Sequence, residues 1–417
     1  MTKKVKQILI SYSKKNPLFK KMLRNTLFIL GRIKYLLYFL INKTDEKLII
    51  FESFMGGQYS DSPKYIYLEM LKNKKYKDYI FVWAFINPLD YKYLLNNKNT
   101  IIIKYKSEKY YQAYSKAKYW FTNSRLNESI IKKENQVYIQ CWHGTPLKRL
   151  GFDIKVEGGN SMNSVNEIRK KYKGDAKRYN YMISPSKYCT QKFISAFNLE
   201  NNKIILETGY PRNDFLINYK NSDVKNVRKK LNIPNNKKII LYAPTWRDNQ
   251  HKSGLGYTYK TEVDFDYLKE KIGKDYIVLF RAHYFIANSF DFDKYNGFIY
   301  DVSKYDDIND LYIISDILIT DYSSAFFDYT NLKRSMIFYM YDFEEYKNKL
   351  RDFYFDLDEL PGPIVYNEKD LVNEINNIEK SNKKYIKTYE KFNEKYNYLD
   401  DGQASKRVIE KIIGENT

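Results

Sequence analysis

Short apolar runs alternate with amphipathic, helix-forming stretches along most of the chain. From residue 45 onward, strand-like runs occur at positions 48–51, 79–83, 101–103, 119–122 and 137–140. Continuous apolar strands that alternate with helices are typical of a parallel sheet whose two faces are both covered. The pattern therefore predicts an α/β domain over residues 45–220.

The same alternation begins again after a polar segment near residues 218–229. Its predicted strands occupy positions 238–242, 276–280, 297–300, 316–319 and 335–338. We therefore expect a second α/β domain over residues 221–417. Ligands of such folds bind outside the carboxyl ends of the strands, so a cleft between the two domains is the expected active site.

The first 44 residues have a different character. Residues 1–43 contain eleven Lys or Arg and no Asp or Glu, with apolar side chains at roughly helical spacing. The apolar stretch at 26–41 is short for a spanning helix, and Arg32 and Lys34 interrupt it. We predict that residues 1–44 form an amphipathic helix that associates with an anionic membrane surface without crossing it. A tilted transmembrane helix and a helix packed on the first domain are the alternatives.

The formal net charge of +21 bears on the partners of the chain. A basic excess of this size indicates an anionic partner, such as anionic lipid, nucleic acid or a phosphate-rich polymer. A compositional bias that signals no ligand is the alternative explanation, because Lys, Asn, Ile and Tyr are all abundant together. No nucleic-acid-binding module is recognisable, so we expect no nucleic acid partner. Cys141 and Cys189 lack the spacing of a metal site, which indicates buried free thiols in a reducing cytoplasm.

Histidine is the most informative residue type, because the chain has only three. His143 and His283 each follow a predicted strand, where α/β proteins build their sites, whereas His251 lies in a polar loop. A histidine at such a position can accept a proton from a hydroxyl near neutral pH. The alternative is a histidine that only satisfies the backbone of its loop. Gly144 permits a close approach to a ligand, and Thr145 is a candidate N-cap for a helix that opens at Pro146.

Other strand-end loops contain groups that suit a phosphate. Ser323 and Ser324 lie between a predicted strand and a helix, where free N–H groups and hydroxyls would face the cleft. An ordinary helix cap is the alternative. Arg212 and Arg281 can each hold a phosphate through two parallel hydrogen bonds. The chain lacks a P-loop, a GxGxxG turn, a GxSxG elbow and an HExxH pair. The adjacent pairs Asp306-Asp307 and Asp400-Asp401 do not form a DxD metal motif, so we expect no metal and no cofactor.

Four runs of sequence, taken together, carry a family resemblance. Residues 142–151, 209–214, 243–246 and 321–324 occur in an order that strongly resembles the CDP-glycerol glycerophosphotransferase family of teichoic acid synthesis, and the similarity extends over roughly residues 45–410. The run at 59–65 is similar to the polymerase branch. The resemblance implies a GT-B-like fold of two Rossmann-like domains, with the donor bound mainly by the second.

The resemblance also implies a reaction and its site. Glycerol phosphate would pass from CDP-glycerol to a hydroxyl of an undecaprenyl-linked acceptor of wall teichoic acid or a related capsule polymer, with release of CMP, at the cytoplasmic face of the bacterial membrane. His143 would be the base. His283 would be the second catalytic residue and, with Arg281, would face the donor pyrophosphate. The implied contacts to CDP-glycerol also include Gly144, Thr145, Pro146, Arg212, Pro244, Thr245, Ala282, Ser323, Ser324 and Asp328.

Several alternatives stay open at the level of sequence. The transferred group is either glycerol phosphate or ribitol phosphate, and the enzyme either primes, extends or polymerises, since only about 45 residues precede the first predicted strand. A nucleotide-sugar glycosyltransferase of the same fold and a non-enzymatic polyanion-binding protein are the competing classes. Release of CMP or UDP from the corresponding donors distinguishes the enzymes, and salt-sensitive nucleic acid binding without turnover identifies the third class.

Overall fold

The structure is a computed structural model with two α/β domains. It describes residue 12 and residues 16–155, 164–245, 251–252, 256–257, 263–282, 291–345 and 353–414. Two large sheets, of seven and six strands, are parallel throughout, as the continuous apolar strands predicted. The predicted fold class is therefore confirmed.

The first sheet has the strand order β3-β2-β1-β4-β5-β6-β7. Its strands are β1 Asp45–Glu52, β2 Ile80–Phe85, β3 Thr100–Lys104, β4 Ala117–Thr122, β5 Val137–Gln140, β6 Tyr181–Ser184 and β7 Ile205–Glu207. The chain runs outward from β1 to one edge and returns at β4, so the topological switch point lies between β1 and β4. The helices of this half are α1 Pro17–Ile41, α2 Asp61–Lys72, α3 Glu108–Lys116, α4 Val165–Ala176, α5 Lys187–Phe197 and α6 Asp214–Asn218.

The second sheet has the order β12-β11-β8-β13-β14-β15, with its switch point between β8 and β13. Its strands are β8 Lys238–Ala243, β11 Tyr276–Phe280, β12 Ile299–Asp301, β13 Ile317–Thr320, β14 Ser335–Tyr339 and β15 Ile364–Val365, and a small antiparallel pair is formed by β9 His251–Lys252 and β10 Gly256–Tyr257. The helices are α7 Asn221–Lys230, α8 Phe265–Ile272, α9 Ile308–Ile314, α10 Ala325–Tyr329, α11 Phe343–Glu345, α12 Glu368–Asn376, α13 Ile378–Tyr396 and α14 Ala404–Ile412.

Helix α14 returns to the first domain. Val408, Ile409 and Ile412 are buried in the apolar core beside β1 and β2. The carboxylate of Asp214 accepts the N–H groups of Ala404 and Ser405 and so caps the helix start. The predicted boundary at residue 221 groups this helix with the second sheet, because an amphipathic helix at the end of a chain does not reveal which sheet it covers. The domain boundaries themselves stay predictions.

Helix α1 packs on the first domain through one face. Tyr35 is fully buried, its hydroxyl donates to the carbonyl of Ile131 at 2.7 Å, and Arg32 donates to the carbonyl of Glu128 at 2.7 Å. The opposite face carries an apolar stripe at helical spacing, in which four side chains are each more than half exposed: Leu30, Ile33, Leu37 and Leu40. Among the residues that the structure describes, no helix combines the length and apolarity needed to span a membrane.

Candidate active site

A cavity of about 320 Å³ lies where the carboxyl ends of the two sheets face each other. Twelve of the thirteen predicted site residues line it, and the remaining one, His283, lies outside the described residues. Since parallel strands end at one edge, loops far apart in sequence meet there. The lining residues are His143, Gly144, Thr145, Pro146, Arg212, Pro244, Thr245, Arg281, Ala282, Ser323, Ser324 and Asp328. Their roles as substrate contacts stay predictions.

The hydrogen bond of His143 fixes its tautomer. Nδ1 lies 2.6 Å from the backbone carbonyl oxygen of Asn123, which follows β4. A carbonyl can only accept, so Nδ1 carries the proton and Nε2 keeps its lone pair. Burial lowers the pKa of His143 below its usual 6.5, while the bond to Asn123 and the charge of Asp61 act in the opposite direction. The imidazole is therefore neutral at neutral pH and suited to accept a proton.

Trp142 turns the chain so that His143 reaches the cavity. Its φ of +50° lies in the left-handed region, which costs a non-glycine residue of this size about 1–3 kcal/mol. The Trp142 N–H donates to the side-chain oxygen of Gln140 at 2.9 Å, and its ring packs edge-on against Phe197 at 4.8 Å. The strained turn is thus held by packing in the first core, and the Trp142 ring lies 4.3 Å from that of His143.

Across the cavity, Arg281 follows β11 and carries a charge that no carboxylate neutralises directly within the described part of the chain. One guanidinium nitrogen, Nη1, donates to the carbonyls of Val302 and Tyr305 at 3.1 and 2.7 Å, and Nη2 makes a long contact of 3.5 Å with the carbonyl of Asp306. Burial lowers the pKa of Arg281. A partly buried cation bonded only to neutral carbonyls is well suited to an anionic phosphate.

Arg212 is in a different situation. Nε and Nη2 each donate to an oxygen of Asp328 at 3.1 Å, and Nη1 donates to Asp61 at 3.3 Å. The guanidinium also lies 3.8 Å from the ring of Tyr210, and only 3% of the residue is exposed. The fork predicted to hold a phosphate is thus occupied by carboxylates, and Asp328, predicted as a donor contact, uses both oxygens on Arg212. The pair joins the two domains.

The loops after β8 and β13 form the wall that holds the two serines. Asp321 accepts the N–H of Thr245 at 2.8 Å and that of Tyr322 at 2.6 Å, which ties the two loops together. Ser323 accepts the N–H of Ala325 at 3.2 Å, as a local cap would. Because α10 has only five residues, its start offers N–H groups and hydroxyls rather than a long helix dipole.

The prediction that a helix opens at Pro146 is wrong. Residues 144–150 contain no helix, and Lys148 forms an antiparallel bridge with Phe353 of the second domain. The N–H of Tyr354 donates to the carbonyl of Leu147 at 2.9 Å. Pairing with a distant part of the chain overrides the local Thr-Pro signal, which is a weak determinant on its own.

Asn123 and Asp61 act on His143, although neither was singled out from the sequence. Asn123 supplies the carbonyl that orients His143, and Asp61 reaches the cavity from the start of α2 with a φ of +62°. Asn123 follows β4, at the switch point of the first sheet, so the strand-end rule is the signal that finds it once the strand order is known. The strand order is itself a tertiary property.

Two α/β domains that enclose such a cavity define a class of two-domain proteins suited to bind a phosphate-bearing ligand between them. A model of one family, CDP-Glycerol:Poly(glycerophosphate) glycerophosphotransferase, matches residues 34–414. The chain belongs to this family. The resemblance inferred from the four sequence motifs is therefore confirmed.

Individual relatives agree with this assignment. The chain is similar to the teichoic acid poly(glycerol phosphate) polymerase of Staphylococcus epidermidis, with 42% identity over 94% of this chain and 54% of that protein. It is also similar to the teichoic acid glycerol-phosphate transferase of Staphylococcus aureus, with 39% identity over 94% of this chain and 100% of that protein. A solved structure of the wall teichoic acid polymerase TagF matches with a TM-score of 0.82 and 41% identity, covering 95% of this chain and 98% of that one. The chain spans about half the length of some curated relatives it matches.

Proposed function

We propose that the protein transfers glycerol phosphate from CDP-glycerol to a hydroxyl of a lipid-linked acceptor in teichoic acid or related polymer synthesis, with release of CMP. The observation that carries the proposal is the pairing, across one cavity, of a neutral His143 and the cationic Arg281. Among the described residues, Nε2 of His143 is free and Arg281 bonds only to carbonyls. Membership of the family and the glycerol-phosphate names of both relatives support the same substrate.

The chemistry of the transfer assigns a role to each wall of the cavity. His143 Nε2 takes the proton of the acceptor hydroxyl as its oxygen attacks the phosphorus that bears glycerol. The bond from that phosphorus to the bridging oxygen breaks, and CMP leaves with the electron pair. Arg281 stabilises the charge that develops on the leaving phosphate, and the groups at Ser323 and Ser324 add hydrogen-bond donors. His283 stays a predicted partner in this role.

The experiment that tests the proposal is a comparison of donors. Purified protein is incubated with CDP-glycerol, CDP-ribitol or a UDP-sugar, with and without a lipid-linked acceptor analogue, and free CMP or UDP is measured. We expect acceptor-dependent CMP release that is fastest with CDP-glycerol. Faster release from CDP-ribitol would assign the enzyme to ribitol phosphate, and release of UDP alone would overturn the proposal.

We further propose that α1 holds the enzyme on the cytoplasmic face of an anionic membrane. The support is the exposed apolar stripe formed by Leu30, Ile33, Leu37 and Leu40, together with eleven cations and no acidic residue in positions 1–43. Each cation near an anionic surface contributes about 1 kcal/mol of attraction, and the stripe would enter the acyl boundary. Enzyme and lipid-linked acceptor would then share one surface.

Vesicle flotation tests this placement. The variant with Leu30→Gln, Leu37→Gln and Leu40→Gln keeps Tyr35 and the packed face but loses the stripe. Leu89→Gln is the matched control, because Leu89 is 72% exposed and lies outside α1. We expect the unmodified protein and the control to float with anionic vesicles, less so as salt rises, and the triple variant to stay behind. Equal flotation of all three proteins would refute the placement.

A further inference from the structure

The position of Arg281 depends on one loop of the second domain, which we call the 302–307 loop. This loop connects β12 to α9. Its carbonyls at Val302 and Tyr305 accept from the Arg281 guanidinium, and the hydroxyl of Ser303 accepts the N–H of Ala282 at 2.9 Å. A guanidinium on a flexible side chain is held where its acceptors lie, so a shift of the loop shifts the charge.

The other side of the 302–307 loop is held by the first domain. One oxygen of Asp307 caps α9 by accepting the N–H of Asn309 at 3.0 Å. The second oxygen accepts from Lys64 Nζ at 2.6 Å and from the Tyr65 hydroxyl at 2.8 Å, both on α2. The neighbouring Asp306 accepts from the Tyr91 hydroxyl at 3.1 Å. Three side chains of the first domain therefore bond to two adjacent carboxylates of this loop.

The ion pair at the centre of these contacts is buried. The side chain of Lys64 is 14% exposed and that of Asp307 is 4% exposed. Burial alone lowers the pKa of Lys64, but the negative charges of Asp307, Asp310 and Asp306, together with the hydrogen bond to Asp307, outweigh it, and the pKa lies above its usual value. A buried pair of this kind resists separation, because removing either partner leaves an unpaired charge in an apolar setting. The contact therefore fixes the loop while the domains stay together.

We propose that Lys64 and Tyr65 are positioning residues for Arg281. They hold the 302–307 loop from across the domain interface, and the loop holds the guanidinium that faces the donor phosphates. Neither side chain lines the cavity, so both act through the loop rather than by touching substrate. The inference rests on the proposed function, since it assigns these residues to the donor side of that reaction. Docking of the two domains would then set the position of the Arg281 guanidinium, which stabilises the CMP leaving group.

A double-mutant cycle tests the link. Tyr65→Phe removes only the hydroxyl and keeps the ring stacked on Phe215 at 5.7 Å, so the fold is preserved. Tyr65→Phe is compared with its parent protein in the wild-type and in the Arg281→Gln background. For each protein, kcat/KM for CDP-glycerol is measured by CMP release, and the Kd of CDP-glycerol is measured by calorimetry. Since misplacing a reacting group by 1 Å can cost roughly 100-fold, we expect Tyr65→Phe to lower kcat/KM about 10-fold in the wild type. In the Arg281→Gln background the same change should have little effect, because coupled residues are not additive.

Controls separate positioning from general stability. Tyr398→Phe removes a hydroxyl that accepts the N–H of Lys187 and so joins the C-terminal segment to the first domain, away from the 302–307 loop. It should leave kcat/KM unchanged, whereas Lys64→Met should reproduce the loss seen with Tyr65→Phe. Equal losses in both backgrounds, in kcat/KM and in Kd, would overturn the inference while the proposed function stands. A wild-type protein that releases no CMP from CDP-glycerol would instead overturn the proposed function.

Discussion

Gly144 of the first domain faces Ser324 of the second across the site, and its replacement by alanine tests how tightly the cavity is assembled. A Cβ at this position would lie 2.6 Å from the Ser324 hydroxyl oxygen, whereas ordinary contact begins at 3.4 Å. The walls must separate by the difference of 0.8 Å, or the serine must move. A misplacement of about 1 Å can cost roughly 100-fold in rate, so we expect kcat/KM for CDP-glycerol to fall roughly 10- to 100-fold in Gly144→Ala.

The assay is CMP release, accompanied by thermal melting, in which overpacking should cost only about 1–3 kcal/mol of stability. Ser324→Ala removes the clashing oxygen and leaves the serine Cβ at 3.5 Å, which is ordinary contact. Gly144→Ala should therefore cost much less in the Ser324→Ala background. Gly174→Ala, where a new Cβ meets nothing within 4 Å, is the matched control and should keep full activity. Full activity of Gly144→Ala, or the same loss of activity in both backgrounds, would contradict a tight contact between Gly144 and Ser324.

The other predictions concern protonation and charge. His143→Ala should lower turnover about 100-fold or more with little change in donor Kd, and wild-type turnover should be lost only as the pH falls through a His143 pKa below 6.5. Rates that peak in acid would contradict this. Arg281→Ala should weaken CDP-glycerol binding by about 1.5–3 kcal/mol in calorimetry. Arg212→Met should instead destabilise the fold by about 3–5 kcal/mol in urea titrations, because Asp328 loses its buried partner, and unchanged stability would argue against the pairing. Burial raises the pKa of Glu52 from 4.5 to about 7. The protonated Glu52 carboxyl therefore contributes stability below pH 4.5, and this contribution is lost as the pH rises through about 7, where the buried carboxyl ionises. The loss is about 3 kcal/mol, and Glu52→Gln should remove that slope from urea titrations.

The sequence predicted the architecture and the location of the site from local patterns. Continuous apolar runs specified two parallel sheets, because strands covered on both faces have no polar side. The strand-end rule then singled out His143 and His283 and placed Arg281 at the same edge, since the carboxyl ends of parallel strands meet there. His143 and Arg281 line the cavity between the domains, and His283 lies outside the described residues. These inferences succeeded because they depend on short stretches of chain and on a rule of topology.

The partners of the two arginines in the cleft were decided by the tertiary structure. Arg212 looked like a phosphate anchor, yet its fork is filled by Asp328, which lies 116 residues away in the chain. The charge of Arg281 can still act on an anionic ligand, because the guanidinium donates to neutral carbonyls of the 302–307 loop. Pairing a buried charge requires a carboxylate at a given distance and orientation, and neither is encoded in spacing along the chain. The sequence thus determined which residues reach the cleft, and the packing of two domains decided which of them are free to act there.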